Sequence, residues 1–219
     1  MRRSRSRIRY GCPALVLVLG GCGSPQAPPS PAEPCATRSL VITSQEEVAA
    51  AASCTVVSAV SVRTGAAVDV SGLRLLERVT GAVIVGPTVG LEEISLPALR
   101  RVDGAIRVSS NGSLRGLFLP ALERAGSLAV EANVALTTVS LPRLVAVDGG
   151  LAIDENASLE LLDVPQLRVV GGSLEITRNA NLTLVEAHGL ERTGDVAVSG
   201  NPLLDQGVVE ALGARTVPQ

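Results

Sequence analysis

Glu131 and Asp154 are the first residues whose type and spacing could do chemistry. The chain repeats at nearly the interval that separates them. If each repeat forms one coil of a stack, the two carboxylates share an outward slot about 5 Å apart, near the separation used by retaining glycosidases. The other residues of that slot, Arg63, Gly86, Ser109, Thr177 and Ser199, supply no aromatic platform for a sugar, and Arg107 falls close by. Two solvated acids are therefore expected, with polysaccharide cleavage as the least favoured alternative. His188 is the only histidine. No free cysteine joins it as a metal ligand, and no motif gives it a serine to activate. Catalytic residues, a metal and a cofactor are all expected to be absent, so the chain reads as a non-enzyme.

Five asparagines mark the repeat: Asn111, Asn133, Asn156, Asn179 and Asn201. Each is followed three residues later by a leucine: Leu114, Leu136, Leu159, Leu182 and Leu204. A buried amide must be paired, so the asparagines are expected to face inward and bond the backbone of neighbouring coils. Asn111-Gly112-Ser113, Asn156-Ala157-Ser158 and Asn181-Leu182-Thr183 match the glycosylation triplet. The first two sit on the ladder, where a sugar has no room.

Two outward ridges carry the charge. One slot reads Glu77, Arg100, Glu123, Val145, Arg168, Glu191; the next reads Arg78, Arg101, Arg124, Ala146, Val169, Arg192. Exposed pairs are worth only about 0–1 kcal/mol each, so a solvated ridge is the plain reading. A site for an acidic partner on Arg78, Arg101 and Arg124 is the sharper one. Phe118 occupies a slot that is otherwise Ser95, Ser140, Asp163 and Glu186; it is expected to be exposed and available to a partner.

The elements that must position these residues follow from the period. A repeat of 22–23 residues means a solenoid. Ile106-Arg107-Val108 alternates as a strand does and is matched by Val60–Val62, Val83–Val85, Leu128–Val130, Leu151–Ile153, Leu174–Ile176 and Val196–Val198. A second extended piece ends in Pro97, Pro120, Pro142 and Pro165, which excludes a helix interior there. Gly81, Gly104, Gly126, Gly149, Gly171 and Gly194 fall in the turn between the pieces, where positive φ is cheap. The expected fold is mainly β: a right-handed parallel β-solenoid of about seven 22–23-residue coils with short capping helices at both ends. Ser44 and Glu47 form a capping box for the first helix; Asp205–Leu212 would form the second, burying Val208, Val209 and Leu212.

Composition agrees. The chain has 219 residues with no Trp and a single Phe and Tyr, which suits a narrow core of stacked aliphatic side chains. Every basic residue is arginine, and five of the 19 precede the first apolar run. The remainder, 14 basic against 21 acidic residues, carries a net charge of −7. That offers no electrostatic footprint for nucleic acid.

Residues 1–21 read as an export signal: a basic start, a short apolar run too brief to span a membrane, then small residues. Leu19-Gly20-Gly21-Cys22 resembles a bacterial lipobox, which implies lipidation of Cys22. Gly23 follows it; in well-studied Gram-negative envelopes an aspartate there marks inner-membrane retention, so an outer-membrane or cell-surface location is expected. Residues 22–34 form a tether with five prolines, extended in character. Cys12 lies in the leader. In an exported chain Cys35 and Cys54 are expected to form a disulfide, worth about 3 kcal/mol in the chain-entropy view.

The pattern GxLxIxxNxxL…LPxLxxVxG over residues 35–219 resembles the receptor L domain, the leucine-rich-like right-handed β-helix of growth-factor-type receptors and many bacterial lipoproteins. The final coil departs from it, having no further cysteine. The resemblance implies a fold, and ligand binding in the receptors, but names no ligand here. The expected function is a lipid-anchored envelope protein presenting a β-solenoid for binding or adhesion, its partners the membrane through the anchor and a protein or envelope glycan, its oligomeric state open. A structural envelope spacer without a specific ligand is the runner-up.

Overall fold

The computed structural model describes residues 35–214. Two parallel sheets wind through them. The longer runs through eight stacked strands, Ser39–Ile42, Ala59–Val62, Val83–Val85, Arg101–Ser109, Arg124–Glu131, Leu151–Asp154, Leu174–Thr177 and Val196–Ser199. The second stacks Glu93–Ser95, Gly116–Phe118, Thr138–Ser140, Leu161–Asp163 and Leu184–Glu186. Together they form a right-handed parallel β-solenoid of about seven turns with a helix at each end. The stack begins earlier than the repeat alone indicates, because Ser39–Ile42 pairs in register with Ala59–Val62.

Register follows the repeat. Val60, Val83, Ile106, Leu128, Leu151, Leu174 and Val196 are consecutive partners in one inward column. Columns of buried leucines line the remaining inner faces, among them Leu76, Leu99, Leu122, Leu144, Leu167 and Leu190. Burial of such aliphatic side chains, each about 1.5–3 kcal/mol, is what makes a coil depend on its neighbours.

Two corners are hydrogen-bonded turns of fixed length. The carbonyls of Asn133, Asn156, Asn179 and Asn201 accept from the amides of Leu136, Leu159, Leu182 and Leu204 at 3.0–3.2 Å. This accounts for the asparagine-to-leucine spacing of three. At the second corner Leu96, Leu119, Leu141 and Val164 accept from Leu99, Leu122, Leu144 and Leu167, and Pro97, Pro120, Pro142 and Pro165 hold the second position of the turn, where a fixed φ helps.

At the third corner the glycines do not use the positive φ that is cheap for them. None of Gly81, Gly104, Gly126, Gly149, Gly171 or Gly194 has positive φ. They are required by proximity. A Cβ on Gly104 would stand 2.7 Å from the carbonyl oxygen of Gly81, and one on Gly194 2.7 Å from that of Gly172. Backbone stacks on backbone there, as in the Gly104 N–H to Gly81 oxygen bond of 3.0 Å. The same corner absorbs the uneven period. Ala105 pairs with Ser127 and Val102 with Ala125, so the later coil is one residue shorter between them.

Left-handed backbone falls instead just before the asparagines, on Ser110, Ala132, Glu155 and Arg178 (φ 54–58°) and on Gly200. Four different side-chain types hold this costly conformation.

Both ends are capped. The first helix, α1 (Gln45–Ala51), buries Val48 and Ala51. Glu47 accepts from the Thr43 and Ser44 amides at 2.5 and 3.1 Å, and these bonds draw its carboxyl below the ordinary value. Cys35 and Cys54 are disulfide-bonded, with Cα atoms 5.5 Å apart. The last helix, α2 (Gln206–Gly213), starts at Asp205, whose side chain accepts from the Gly207 amide at 2.8 Å. Leu212 is buried, and Val208 and Val209 pack half-buried against the core.

Candidate functional site

The asparagines form a continuous buried spine. Each amide nitrogen donates to the next Oδ1: Asn111 to Asn133 at 2.8 Å, Asn133 to Asn156 at 3.0 Å, Asn156 to Asn179 at 3.3 Å and Asn179 to Asn201 at 3.2 Å. Each backbone amide donates to that same oxygen, as from Asn133 to Asn156 at 3.1 Å. The second hydrogen of each Nδ2 reaches a backbone carbonyl of the preceding coil, Val108 for Asn133 and Val130 for Asn156. Thr88 stands in the same place one coil before Asn111 and donates its hydroxyl to the Asn111 Oδ1 at 2.8 Å. Asn111, Asn133, Asn156 and Asn179 are fully buried, and Asn201 is half-buried beside the last turn. Every donor and acceptor of the inner amides is used, so the spine offers nothing to a ligand.

The charged ridges lie outside. Arg78, Arg101 and Arg124 are direct register partners, continued by Ala146, Val169 and Arg192. Their guanidiniums meet carboxylates on the same surface. Arg78 and Arg101 both bond Asp103, the former at 2.7 Å, and Arg124 reaches Asp148 at 2.9 Å. The Asp103 carboxyl is held below the ordinary value by hydrogen bonds from Arg101 and then Arg78; the same bond raises Arg101. In the neighbouring slot Arg100 faces Glu123 at 3.4 Å and Arg168 faces Glu191 at 2.5 Å. Asp103 and Asp148 are the partners that the slot pattern did not bring out. Each sits two residues after its ridge position, which is the signal that would have found them.

Glu131 and Asp154 are register partners in one outward slot. Each has its own arginine: Glu131 with Arg107 at 3.4 Å, Asp154 with Arg178. Thr177 also donates its hydroxyl to Asp154 at 2.5 Å. His188 is exposed at the fifth proline-type corner, its Nδ1 3.0 Å from Glu186.

Phe118 differs from the expectation. It is half-buried, not exposed. Its ring folds back along the strand over Gly116, and a Cβ on that glycine would come 2.7 Å from the ring Cζ. Its register partners Ser95 and Ser140 flank Glu93 and Thr138, which do carry side chains at the Gly116 position. The gap at Gly116 is what admits the ring.

Among the described residues, no group of three His, Cys, Asp or Glu side chains converges on a point that could hold a metal. No helix there is long and apolar enough to cross a membrane. Cys22, the signal segment 1–21 and the tether 22–34 lie outside the described residues. The fold is thus that of a parallel β-solenoid with a polar spine. No protein-family model, curated protein or solved structure matches the chain.

Proposed function

We propose that this chain is a lipid-anchored protein of the bacterial cell envelope that presents its β-solenoid for binding or adhesion. The observation that carries the reading is the order of segments: a basic leader, Leu19-Gly20-Gly21-Cys22, a proline-rich tether, then a solenoid. A lipid on Cys22 would fix one end at the membrane, and the tether would stand the solenoid off it. Inward slots of this scaffold are regular columns of aliphatic side chains and one of asparagines, whereas outward slots change from coil to coil; the variable surface is where specificity can reside. The receptor L domain resemblance points the same way. In this reading the protein is not an enzyme, and Glu131 and Asp154 serve as ion-pair partners.

Membrane fractionation of cells expressing Cys22→Ala tests the anchor. The variant should leave the membrane fraction or stall as a precursor. Undiminished processing and membrane association would contradict the proposal.

One observation favours the second reading, a structural spacer without a specific ligand. Arg78, Arg101 and Arg124 are already matched by Asp103 and Asp148, which weakens the row as a site for an acidic partner. Crosslinking on intact cells separates the readings: a discrete partner lost on Arg78→Ala/Arg101→Ala/Arg124→Ala supports binding through the row.

A further inference from the structure

The charged ridges are interrupted once. Coil after coil the two slots hold Glu77 and Arg78, Arg100 and Arg101, Glu123 and Arg124; then they hold Val145 and Ala146, and the next coil has Arg168 and Val169. Backbone pairing continues through the interruption: Ala146 is in register with Arg124 and with Val169, and Val169 bridges Arg192. Only the side chains change. Long charged groups give way to short aliphatic ones, and a trough of about 420 Å³ opens along the ridge. Its floor is Val145, Ala146 and Val169. Val145 is 37% exposed.

The rims of the trough are charged. Arg124, paired with Asp148, closes one end. At the other end Arg168 and Arg192 sit side by side, the Arg192 amide bonded to the Arg168 carbonyl at 3.1 Å. Arg168 is engaged by Glu191. Arg192 is exposed and makes no ion pair among the described residues. Three arginines against Asp148 and Glu191 leave the rim with one positive charge in excess. A second depression, lined by Val145, Arg168 and Glu191 together with His188, continues the trough toward the proline corners.

We propose that this interruption is a docking groove for an extended acidic peptide, one that sets an aliphatic side chain on Val145 and Val169 and a carboxylate on Arg192. The proposal rests on the binding reading above and names its site and partner class. Charge complementarity at Arg192 selects an anion. The floor is aliphatic with no aromatic ring, which suits a branched aliphatic side chain rather than the face of a sugar. An extended chain fits because its side chains on one face recur at about 7 Å, enough to step from the floor of Val145 and Val169 to Arg192, the register neighbour of Val169.

The test uses the full chain in mild detergent and the fluorescein-labelled hexapeptide Val-Ser-Glu-Ser-Glu-Ser, which sets valine and glutamate on one face of an extended chain, followed by anisotropy at low salt. Saturable binding is expected. Arg192→Ala should weaken it about threefold, the scale of one exposed ion pair, and Val145→Glu should abolish it. Arg115→Ala, exposed and outside both ridges, should leave it unchanged. Equal melting temperatures would show that the variants fold, as expected for exposed positions. The proposal is overturned by absent saturable binding, by Val145→Glu binding like the parent, or by equal losses from Arg115→Ala and Arg192→Ala. It is also overturned if alginate binds as tightly with the same sensitivity to Val145→Glu, which would assign the groove to an anionic glycan. A negative peptide result beside a released Cys22→Ala protein would remove the groove and leave the anchored scaffold standing.

Discussion

The ring of Phe118 occupies the space that a side chain on Gly116 would need. The two residues lie on the same outward face of one short strand. Elsewhere in that sheet the paired positions are Glu93 with Ser95, Thr138 with Ser140, Leu161 with Asp163 and Leu184 with Glu186. A side chain at the first position goes with a small or flexible one at the second. The glycine and the aromatic are one unit, the ring covering backbone that the glycine leaves bare.

That unit predicts strong non-additivity. Gly116→Thr alone should cost about 1–3 kcal/mol through overpacking. Adding Phe118→Ser recreates the pair found one coil later, and most of the loss should return. Urea midpoints of the parent, both single variants and the double variant give the coupling; simple additivity would show that ring and glycine are independent.

The asparagine spine predicts a position-dependent penalty. Asn156→Ala removes the oxygen that serves Asn133 twice and the donor that serves Val130. Leaving buried groups unpaired costs about 1–3 kcal/mol each, so a loss of about 3–5 kcal/mol is expected. Asn201→Ala, at the half-buried end of the spine, should cost about 1 kcal/mol. Equal penalties measured by denaturant unfolding would argue that the spine does not act through burial.

Glycines should divide by what stands over them. A Cβ on Gly171 would overlap the Asp148 carbonyl oxygen, whereas nothing lies within 4 Å of one on Gly65. Gly171→Ala should destabilise by more than about 2 kcal/mol, and Gly65→Ala should stay within about 0.5 kcal/mol of the parent. Thermal melts of the two variants check this, and a Gly171→Ala protein as stable as the parent would contradict the close backbone stacking.

Asp103 carries a pH signature. Its folded pKa is depressed by Arg101 and Arg78, so its contribution is fully present above the unfolded value of about 3.9 and disappears as pH falls through the folded one. The stability difference between parent and Asp103→Asn should be flat above about pH 5 and shrink on further acidification. A carboxyl carbon titration should place the Asp103 midpoint below about 3.9; a midpoint at or above it would mean that the two arginines do not hold it.

Much of this architecture is legible in the amino-acid sequence. Arg78, Arg101 and Arg124 stack as their spacing required, because a parallel solenoid puts residues one period apart in register. The inward asparagines followed from the cost of an unpaired amide. What the spacing hid was the reason for some residues. Gly104 and its equivalents look like turn glycines, yet their φ is ordinary and backbone proximity demands them. Ser110, Ala132, Glu155 and Arg178 share one left-handed conformation without sharing a side-chain type, so sequence carried no mark of it. Phe118 sits in the slot its spacing gives, but its half-burial comes from the gap at Gly116, which a comparison within one slot does not show.

The central claim is that this solenoid is held at a membrane by a lipid on Cys22. Mass spectrometry of the amino-terminal peptide from membrane-extracted protein tests it most directly. The account predicts a mature chain beginning at Cys22 with the mass of a diacylglyceryl group on its sulfur. An amino terminus at any other residue, or an unmodified Cys22, would contradict it.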